Sequence, residues 1–142
     1  MKSLRTLITI YLLFTAVALF AQTENRPLMK VNIPFAFSAD NHTLPAGQYF
    51  VTTVTPERSI ALVSADRKHT TIINDLLNYA GSPSADSRLV FNRYGDEYFL
   101  TQVWTKGDNV ARNPMISKRQ AEIAQSSGLP DNIRTILAYA GR

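Results

Sequence analysis

The chain has 142 residues, of which 45% are hydrophobic and 18% charged, and it contains no cysteine. This length is typical of one domain, and the composition lacks the bias of disordered or fibrous chains. The lack of cysteine excludes disulfide frameworks, thiolate metal sites and cysteine nucleophiles. It also excludes the lipid-modified cysteine that anchors bacterial lipoproteins.

Residues 1–21 have the three-part pattern of a cleavable secretory signal peptide. Two cations lie within the first five residues, residues 6–20 are uncharged and strongly apolar, and polar residues follow Ala21 directly. We expect cleavage after Ala21, with a cut after Ala18 as the second choice. An uncleaved anchor is the alternative, but the apolar run is shorter than the roughly 20 residues that a spanning helix needs. The prediction is an exported chain, periplasmic or secreted, that contacts the membrane only during export and whose residues 22–142 form a single β-rich domain.

The basic character of the chain comes partly from this leader. Of the 15 Lys and Arg residues, two belong to residues 1–21, which leaves 13 against 11 Asp and Glu, a balance of +2. The remaining cations are scattered, whereas a nucleic-acid-binding surface concentrates many cations on one face. We therefore expect no nucleic-acid partner.

The first half of the mature chain carries four strand-like segments, at 29–37, 48–55, 59–64 and 70–77. In the first segment Val31, Ile33, Phe35 and Phe37 alternate with polar or small residues. Pro34 cannot donate to a strand ladder, which predicts an edge strand or a bulge there. Residues 38–42 and 44–47 have the composition of turns, residues 65–69 form a hairpin connection, and residues 78–87 predict a loop.

A hairpin is predicted next, from Arg88–Tyr94 and Glu97–Thr105 separated by Gly95 and Asp96. A two-residue loop with glycine first suits a type II′ turn, whose first central residue needs positive φ. This turn predicts Phe91 opposite Leu100 and Arg93 opposite Tyr98. Val90 and Thr101 share the other face of the hairpin, as do Asn92 and Phe99. Because both faces of the hairpin are partly apolar, we expect it to be covered on both sides.

The C-terminal part of the sequence predicts one helix and a last segment that fits either a strand or a second helix. Residues 114–126 have a narrow apolar stripe, with Pro114 at the helix start and Gly128 after its end. Residues 132–140 predict either a last strand, with Ile133, Thr135, Leu137 and Tyr139 on one face, or a second helix; their composition favours the strand. The expected fold is mainly β: a single small antiparallel β-barrel or β-sandwich of about seven strands with one short helix in the C-terminal half, preceded by a signal-peptide helix.

Two blocks of the sequence carry a resemblance. VNIPFAFSADNHTLPAGQYFV (31–51) and RLVFNRYGDEYFLTQVW (88–104) resemble the signature blocks of a group of small exported proteins abundant in soil acidobacteria. The resemblance extends to the leader and to Ser117-Lys118-Arg119. It implies export and a β-rich fold, and it brings no activity or catalytic residue.

The residues themselves also point away from catalysis. Ser38, Asp40 and His42 could be combined into a hydrolase, but triads are assembled from residues adjacent in the fold and not on one turn. His69 has the surroundings of a solvated turn residue, and two distant histidines make a closed zinc site improbable. We expect no enzymatic activity, no cofactor and no bound metal.

The remaining candidate for a site is the aromatic hairpin. Its aromatic and cationic side chains either form a ligand or partner surface or pack across strands, and packing is the more common outcome. The residues of this candidate surface are Arg93, Tyr94, Tyr98, Phe99 and Trp104. The predicted function is a non-enzymatic exported domain for binding or structural association with a protein or carbohydrate partner. The alternatives are a small barrel that binds a hydrophobic or carbohydrate ligand through these aromatics and, third, a hydrolase that uses His42.

Overall fold

The computed structural model describes residues 27–55 and 59–140, so the predicted signal peptide and its cleavage site lie outside the described residues. The described part contains ten strands and one helix. In chain order the elements are β1 Met29–Ile33, β2 Phe37–Ala39, β3 His42–Leu44, β4 Gly47–Thr55, β5 Ser59–Ser64, β6 Thr70–Tyr79, β7 Arg88–Tyr94, β8 Glu97–Trp104, β9 Val110–Pro114, α1 Lys118–Ser127 and β10 Asn132–Ala140. No helix of these residues has the length and apolarity needed to cross a membrane.

Eight of the strands close into an antiparallel barrel, which confirms the barrel of the two predicted architectures. The order around the wall is β8-β7-β10-β1-β4-β5-β6-β9, and the β8–β9 pairing closes the circle. β2 and β3 are the two additional strands; β2 adds to β8 in parallel at Ser38–Phe99, and β3 pairs with β2. The described residues therefore form eight barrel strands and two additional strands, whereas the sequence predicted about seven strands in all.

The barrel interior is filled by apolar side chains from alternate strand positions. One inward row runs across four strands through the pairs Met29–Val51, Val51–Leu62 and Leu62–Thr71, and all four residues are buried. The neighbouring positions point outward, as Ile72 does on β6. This period of two is the one that the sequence shows, because successive strand side chains point to opposite faces.

The first predicted strand is interrupted where proline was expected to disturb it. β1 ends at Ile33, directly before Pro34, and β2 begins at Phe37. Residues 38–42, predicted as a turn, instead supply most of the short β2–β3 hairpin, whose turn places Asp40 at a φ of 56°. Three-residue strands are too short for a period of two to be recognised in the sequence.

The β7–β8 hairpin confirms both of its predicted pairs. Gly95 has a φ of 57° and Asp96 is not in the positive-φ region, as a type II′ turn requires. Phe91–Leu100 and Arg93–Tyr98 pair as expected, and Asn92 pairs with Phe99 on the other face. The sequence did not predict the bulge: Val90 pairs with Gln102, and the extra residue Thr101 donates its hydroxyl to the Val90 carbonyl at 3.1 Å.

The helix begins later than predicted. Pro114 does not start it but ends β9, a strand that the sequence did not predict. The N-cap is Ser117, whose hydroxyl accepts the Gln120 backbone N–H at 3.1 Å, and Gly128 ends the helix at a φ of 80° as expected. The Ser117 hydroxyl accepts a hydrogen bond from a backbone N–H of the first helical turn, and a proline side chain has no acceptor for such a bond. The helix therefore begins after Ser117 and not at Pro114.

The last segment, 132–140, is a strand, as its composition favoured. Its stripe of Ile133, Leu137 and Tyr139 points to solvent, however, with 60%, 58% and 74% of each residue exposed. The inward positions include Ile136 and Ala138, which pack against the core. The apolar stripe therefore belongs to the outer wall of the barrel.

Candidate functional site

The five residues of the predicted surface are divided between the two faces of the β7–β8 hairpin. Tyr98 stacks on Phe35 with ring centroids 3.9 Å apart and packs against the core. Tyr94 and Phe99 are buried on the other face, where their rings meet edge to face at 6.0 Å. These contacts are of the cross-strand packing kind, which the sequence analysis favoured over a ligand surface.

The remaining two of the five are half-buried and have partners. The Arg93 guanidinium lies 5.7 Å from the Tyr98 ring centre and donates to the Gly95 carbonyl at 2.6 Å. The Arg88 guanidinium covers the Trp104 ring at 4.8 Å, and the Trp104 indole N–H donates to Gln102 at 3.0 Å. The five residues do not share one face of the hairpin. A ligand surface formed by them stays a prediction.

The histidines lie in exposed turns or at their edges. His42 is exposed on β3, while the Ser38 hydroxyl lies 3.4 Å from the Thr43 hydroxyl. His69 contributes its backbone N–H, and not its ring, to Ser64 at 2.9 Å. Among the described residues no group of three or more His, Cys, Asp or Glu could hold a metal ion.

A second Ser-Asp-His combination occurs at the β5–β6 turn, in an arrangement that stabilises the turn. The Ser64 hydroxyl donates directly to the Asp66 carboxylate, which also accepts the Lys68 backbone N–H at 3.0 Å. The Ser64 hydrogen bond, followed by that of Lys68, lowers the pKa of the Asp66 carboxyl. In a catalytic triad an imidazole lies between the nucleophilic serine and the carboxylate. Here the Ser64 hydroxyl donates directly to the Asp66 carboxylate, and no imidazole lies between them. These contacts support the turn, in which Arg67 has a φ of 58°.

A concave groove lies on the outer wall, across β6, β9, β8, β7 and β10. Its volume is about 790 Å³ and twelve described residues line it. It lies in the size range of ligand sites, roughly 300–1,000 Å³. We call it the outer-wall groove.

The rim of the outer-wall groove is apolar and exposed. Leu76 comes from β6 and Ile133 from β10, while Met115 and Ile116 come from the segment between β9 and α1. Between 54% and 73% of each of these residues is exposed. Contiguous exposed apolar side chains of this kind mark interaction or ligand sites in soluble proteins.

The floor of the groove contains four amide side chains together with Val90, Leu100, Thr101 and Pro114, and none of these residues is charged. The strand register brings its members together: Asn92 pairs with Ile133, Gln102 with Val90, and Asn113 with Leu76. The fourth floor amide, Gln120, is buried and comes from the first turn of α1. The floor therefore offers amide donors and acceptors beneath an apolar rim.

One floor oxygen has no partner. The Asn113 side-chain oxygen is buried and accepts no hydrogen bond from the described residues. A buried acceptor without a donor costs about 1–3 kcal/mol of stability.

An exposed ion pair links α1 to the barrel wall. Arg119 of α1 donates to both carboxylate oxygens of Glu97 on β8, at 2.6 and 3.2 Å. This hydrogen bonding lowers the pKa of the Glu97 carboxyl. The same helix supplies Gln120 to the groove.

The groove was not predicted from the sequence. β6 contains apolar residues at both inward and outward positions, such as buried Ile73 and exposed Leu76, and this was the available signal. Comparisons with protein-family models, with curated proteins and with solved structures found no match to this chain.

Proposed function

We propose that this chain is an exported, non-enzymatic β-barrel domain that acts by binding, and that the outer-wall groove is its binding site. The observation that carries the proposal is the groove itself: four exposed apolar side chains around a floor of amides, with no ionisable group among the twelve described lining residues. The barrel interior is occupied by core side chains such as Tyr49, Phe91 and Ile73, so a ligand is best received outside.

The energetics of the rim support binding. Leu76, Met115, Ile116 and Ile133 keep more than half of their surfaces in water. Covering apolar surface contributes about 25 cal/mol per Å², and burying one large aliphatic side chain contributes about 1.5–3 kcal/mol. Covering this rim therefore contributes favourably to an interaction.

A neutral apolar dye, Nile red, tests the site. We expect dye fluorescence to rise on binding to the purified protein and to fall several-fold in Leu76→Asp and Ile116→Asp. Val54→Asp and Tyr79→Asp are the control variants, because these apolar residues are also more than half exposed, at 51% and 72%, but do not line the groove. Unchanged dye binding in both rim variants would contradict the proposed site.

The same assay separates the two binding hypotheses. A ligand site formed by the hairpin aromatics requires Trp104, whereas the outer-wall groove does not include it. We expect Trp104→Ala to retain dye binding. Loss of binding in Trp104→Ala, with full binding in the rim variants, would move the site to the aromatics.

Export is the other half of the proposal, supported by the leader pattern of residues 1–21 and by the resemblance to exported proteins. The full-length gene is expressed in a bacterium, the cells are fractionated, and the N-terminus of the product is determined. We expect a mature chain that begins at Gln22, outside the cytoplasm. The control variant Leu13→Arg interrupts the apolar run and should retain an uncleaved precursor. An uncleaved wild-type chain in the cytoplasm would refute export.

A further inference from the structure

The connection from β9 to β10 crosses the outside of the barrel. In the wall order β8 and β7 lie between these two strands, so residues 115–131 pass over the β7–β8 hairpin. We call this segment the strap, and α1 is its central part. We infer that the strap is a hinged side of the outer-wall groove, so that the groove binds its occupant while the strap is docked on Glu97 and releases it when the strap swings away. This inference rests on the proposed function, because it concerns the regulation of the same site.

The strap supplies one side of the groove. Met115 and Ile116 belong to the rim, and Gln120 of α1 is among the lining residues. The remaining lining residues all lie on strands of the barrel. Movement of the strap away from the barrel therefore displaces one side of the groove and leaves the strand side in place.

The strap is docked on the outward face of the β7–β8 hairpin. Directly opposed residues share a face of a sheet, and here Tyr94 pairs with Glu97 and Asn92 with Phe99. Glu97 accepts a hydrogen bond from Arg119 of α1 at 2.6 Å, which places α1 over this face. Tyr94 and Phe99 are buried, although neither belongs to the core cluster of the barrel. The docked strap therefore lies over an aromatic pair that is separate from the core, and the apolar surface of this pair favours the docked state.

The middle of the strap is fastened by exposed polar contacts. The side chains of Arg119 and Glu97 are 61% and 43% exposed, and an exposed ion pair contributes little to stability in water. The Lys118 backbone N–H donates to the Asn41 side-chain oxygen at 3.4 Å, which is long for a hydrogen bond. The buried residue of α1 is the polar Gln120. Opening of α1 therefore breaks weak contacts and leaves the barrel core intact.

The two ends of the strap are held more firmly than its middle. At the C-terminal end the Asp131 N–H donates to the Arg93 carbonyl at 2.8 Å, and the Asp131 carboxylate accepts the Gly95 N–H at 2.6 Å. At the N-terminal end the strap continues directly from β9, which pairs with β6. α1 itself ends at Gly128, with a φ of 80°. A weakly fastened helix between two fixed ends is a segment that opens locally, without unfolding of the barrel.

A charge-reversal series tests the docking contact. Glu97→Arg and Arg119→Glu each replace the ion pair by two like charges, and the double variant restores opposite charges. Hydrogen exchange of the α1 backbone amides reports docking, and titration with Nile red reports the affinity of the groove. We expect each single variant to exchange faster and to bind the dye about threefold or more weakly, because affinity falls with the docked fraction. The double variant should return both quantities close to the wild-type values.

Glu122→Arg is the matched control. Glu122 is exposed on the same helix, and reversal of its charge leaves the pair of Arg119 with Glu97 in place. We expect neither amide exchange nor dye affinity to change in this variant.

A covalent lock tests the same movement in the opposite direction. The chain contains no cysteine, so Glu97→Cys/Arg119→Cys carries the only two thiols, and a short bis-maleimide joins them. Before cross-linking this variant should resemble the single charge variants. After cross-linking we expect slower exchange of the α1 amides and a dye affinity that returns at least to the wild-type value. Unfolding midpoints in urea show whether the fold of each variant is intact.

The outcomes distinguish the inference from the proposed function. Dye affinity that stays constant while α1 exchange rises would overturn the role of the strap and leave the groove as a binding site. Tighter dye binding in the single charge variants would overturn it as well, because the strap would then cover the site and not complete it. Unchanged α1 exchange in those variants would show that Glu97 does not dock the strap. A wild-type protein that binds no dye would overturn the proposed function and the inference together.

Discussion

The buried ion pair between Asp75 and Arg112 offers the sharpest test of how the barrel is stabilised. The Asp75 side chain is fully buried and that of Arg112 is 14% exposed, with an N–O distance of 3.0 Å. Asp75 follows Ile73 on the inward face of β6, and its second carboxylate oxygen has no hydrogen-bond partner among the described residues. Removing one member of such a pair leaves a buried charge uncompensated, which costs about 3–5 kcal/mol.

Arg112→Met should therefore destabilise the protein by about 3–5 kcal/mol, because it removes the positive charge that pairs with the buried Asp75 carboxylate. The double variant Asp75→Leu/Arg112→Met replaces both charges by apolar groups, and such replacements are often neutral or stabilising. We expect its cost to be at least about 2 kcal/mol smaller than the sum of the two single variants, a coupling within the range of contacting residues.

Urea unfolding of the purified proteins, analysed by linear extrapolation, measures these differences. Arg134→Met is the control, because Arg134 is an exposed strand arginine and its loss should stay within about 0.5 kcal/mol. A cost below about 1 kcal/mol for Arg112→Met, or strict additivity in the double variant, would refute the role of a coupled buried pair.

Three further predictions concern the elements around the groove. Ser117→Ala removes the N-cap acceptor of α1 and should cost about 1 kcal/mol in urea unfolding, whereas Ser117→Asp should retain most of the stability. Because hydrogen bonds from Arg119 lower the pKa of the Glu97 carboxyl, the pair stabilises the fold above the ordinary value of 4.5, and this contribution is lost as the pH falls through the lowered pKa. The difference in melting temperature between wild type and Glu97→Gln should accordingly be present at neutral pH and shrink in acid; a constant difference would contradict it. Gly95→Ala forces a side chain to a φ of 57° and should cost about 1–2 kcal/mol, whereas Gly81→Ala, with open space and no positive φ, should be neutral or slightly stabilising.

Much of the fold follows from local patterns in the sequence. Period-two alternation predicts the strand that begins at Met29, and the Gly95-Asp96 pair predicts the turn and both opposed pairs of the β7–β8 hairpin. These features depend on neighbouring residues: alternation reflects the pleat, and a type II′ turn needs a residue that tolerates positive φ. Short elements escape the same reasoning, as β9 does, because five residues ending in Pro114 show no clear period.

Other decisions require the closed barrel. Alternation along β10 separates Ile133 and Leu137 from Ile136, but period two cannot say which set faces the core. The neighbours decide this: β10 lies between β1 and β7, where the inward set packs on the core and the other set becomes outer wall. The bulge at Thr101 likewise becomes visible only in the pairing of β8 with β7, where Phe91 faces Leu100 and Val90 faces Gln102.

The candidate site is also formed only by closure of the barrel. Residues 1–21 could be interpreted as a leader from their order alone, since a signal peptide is defined by a linear pattern. The groove instead joins Leu76, Asn113 and Ile133, which lie far apart in the chain and meet only because β9 pairs with both β6 and β8. Barrel closure is a long-range pairing, so it is closure that turns scattered outward residues into one apolar rim over an amide floor.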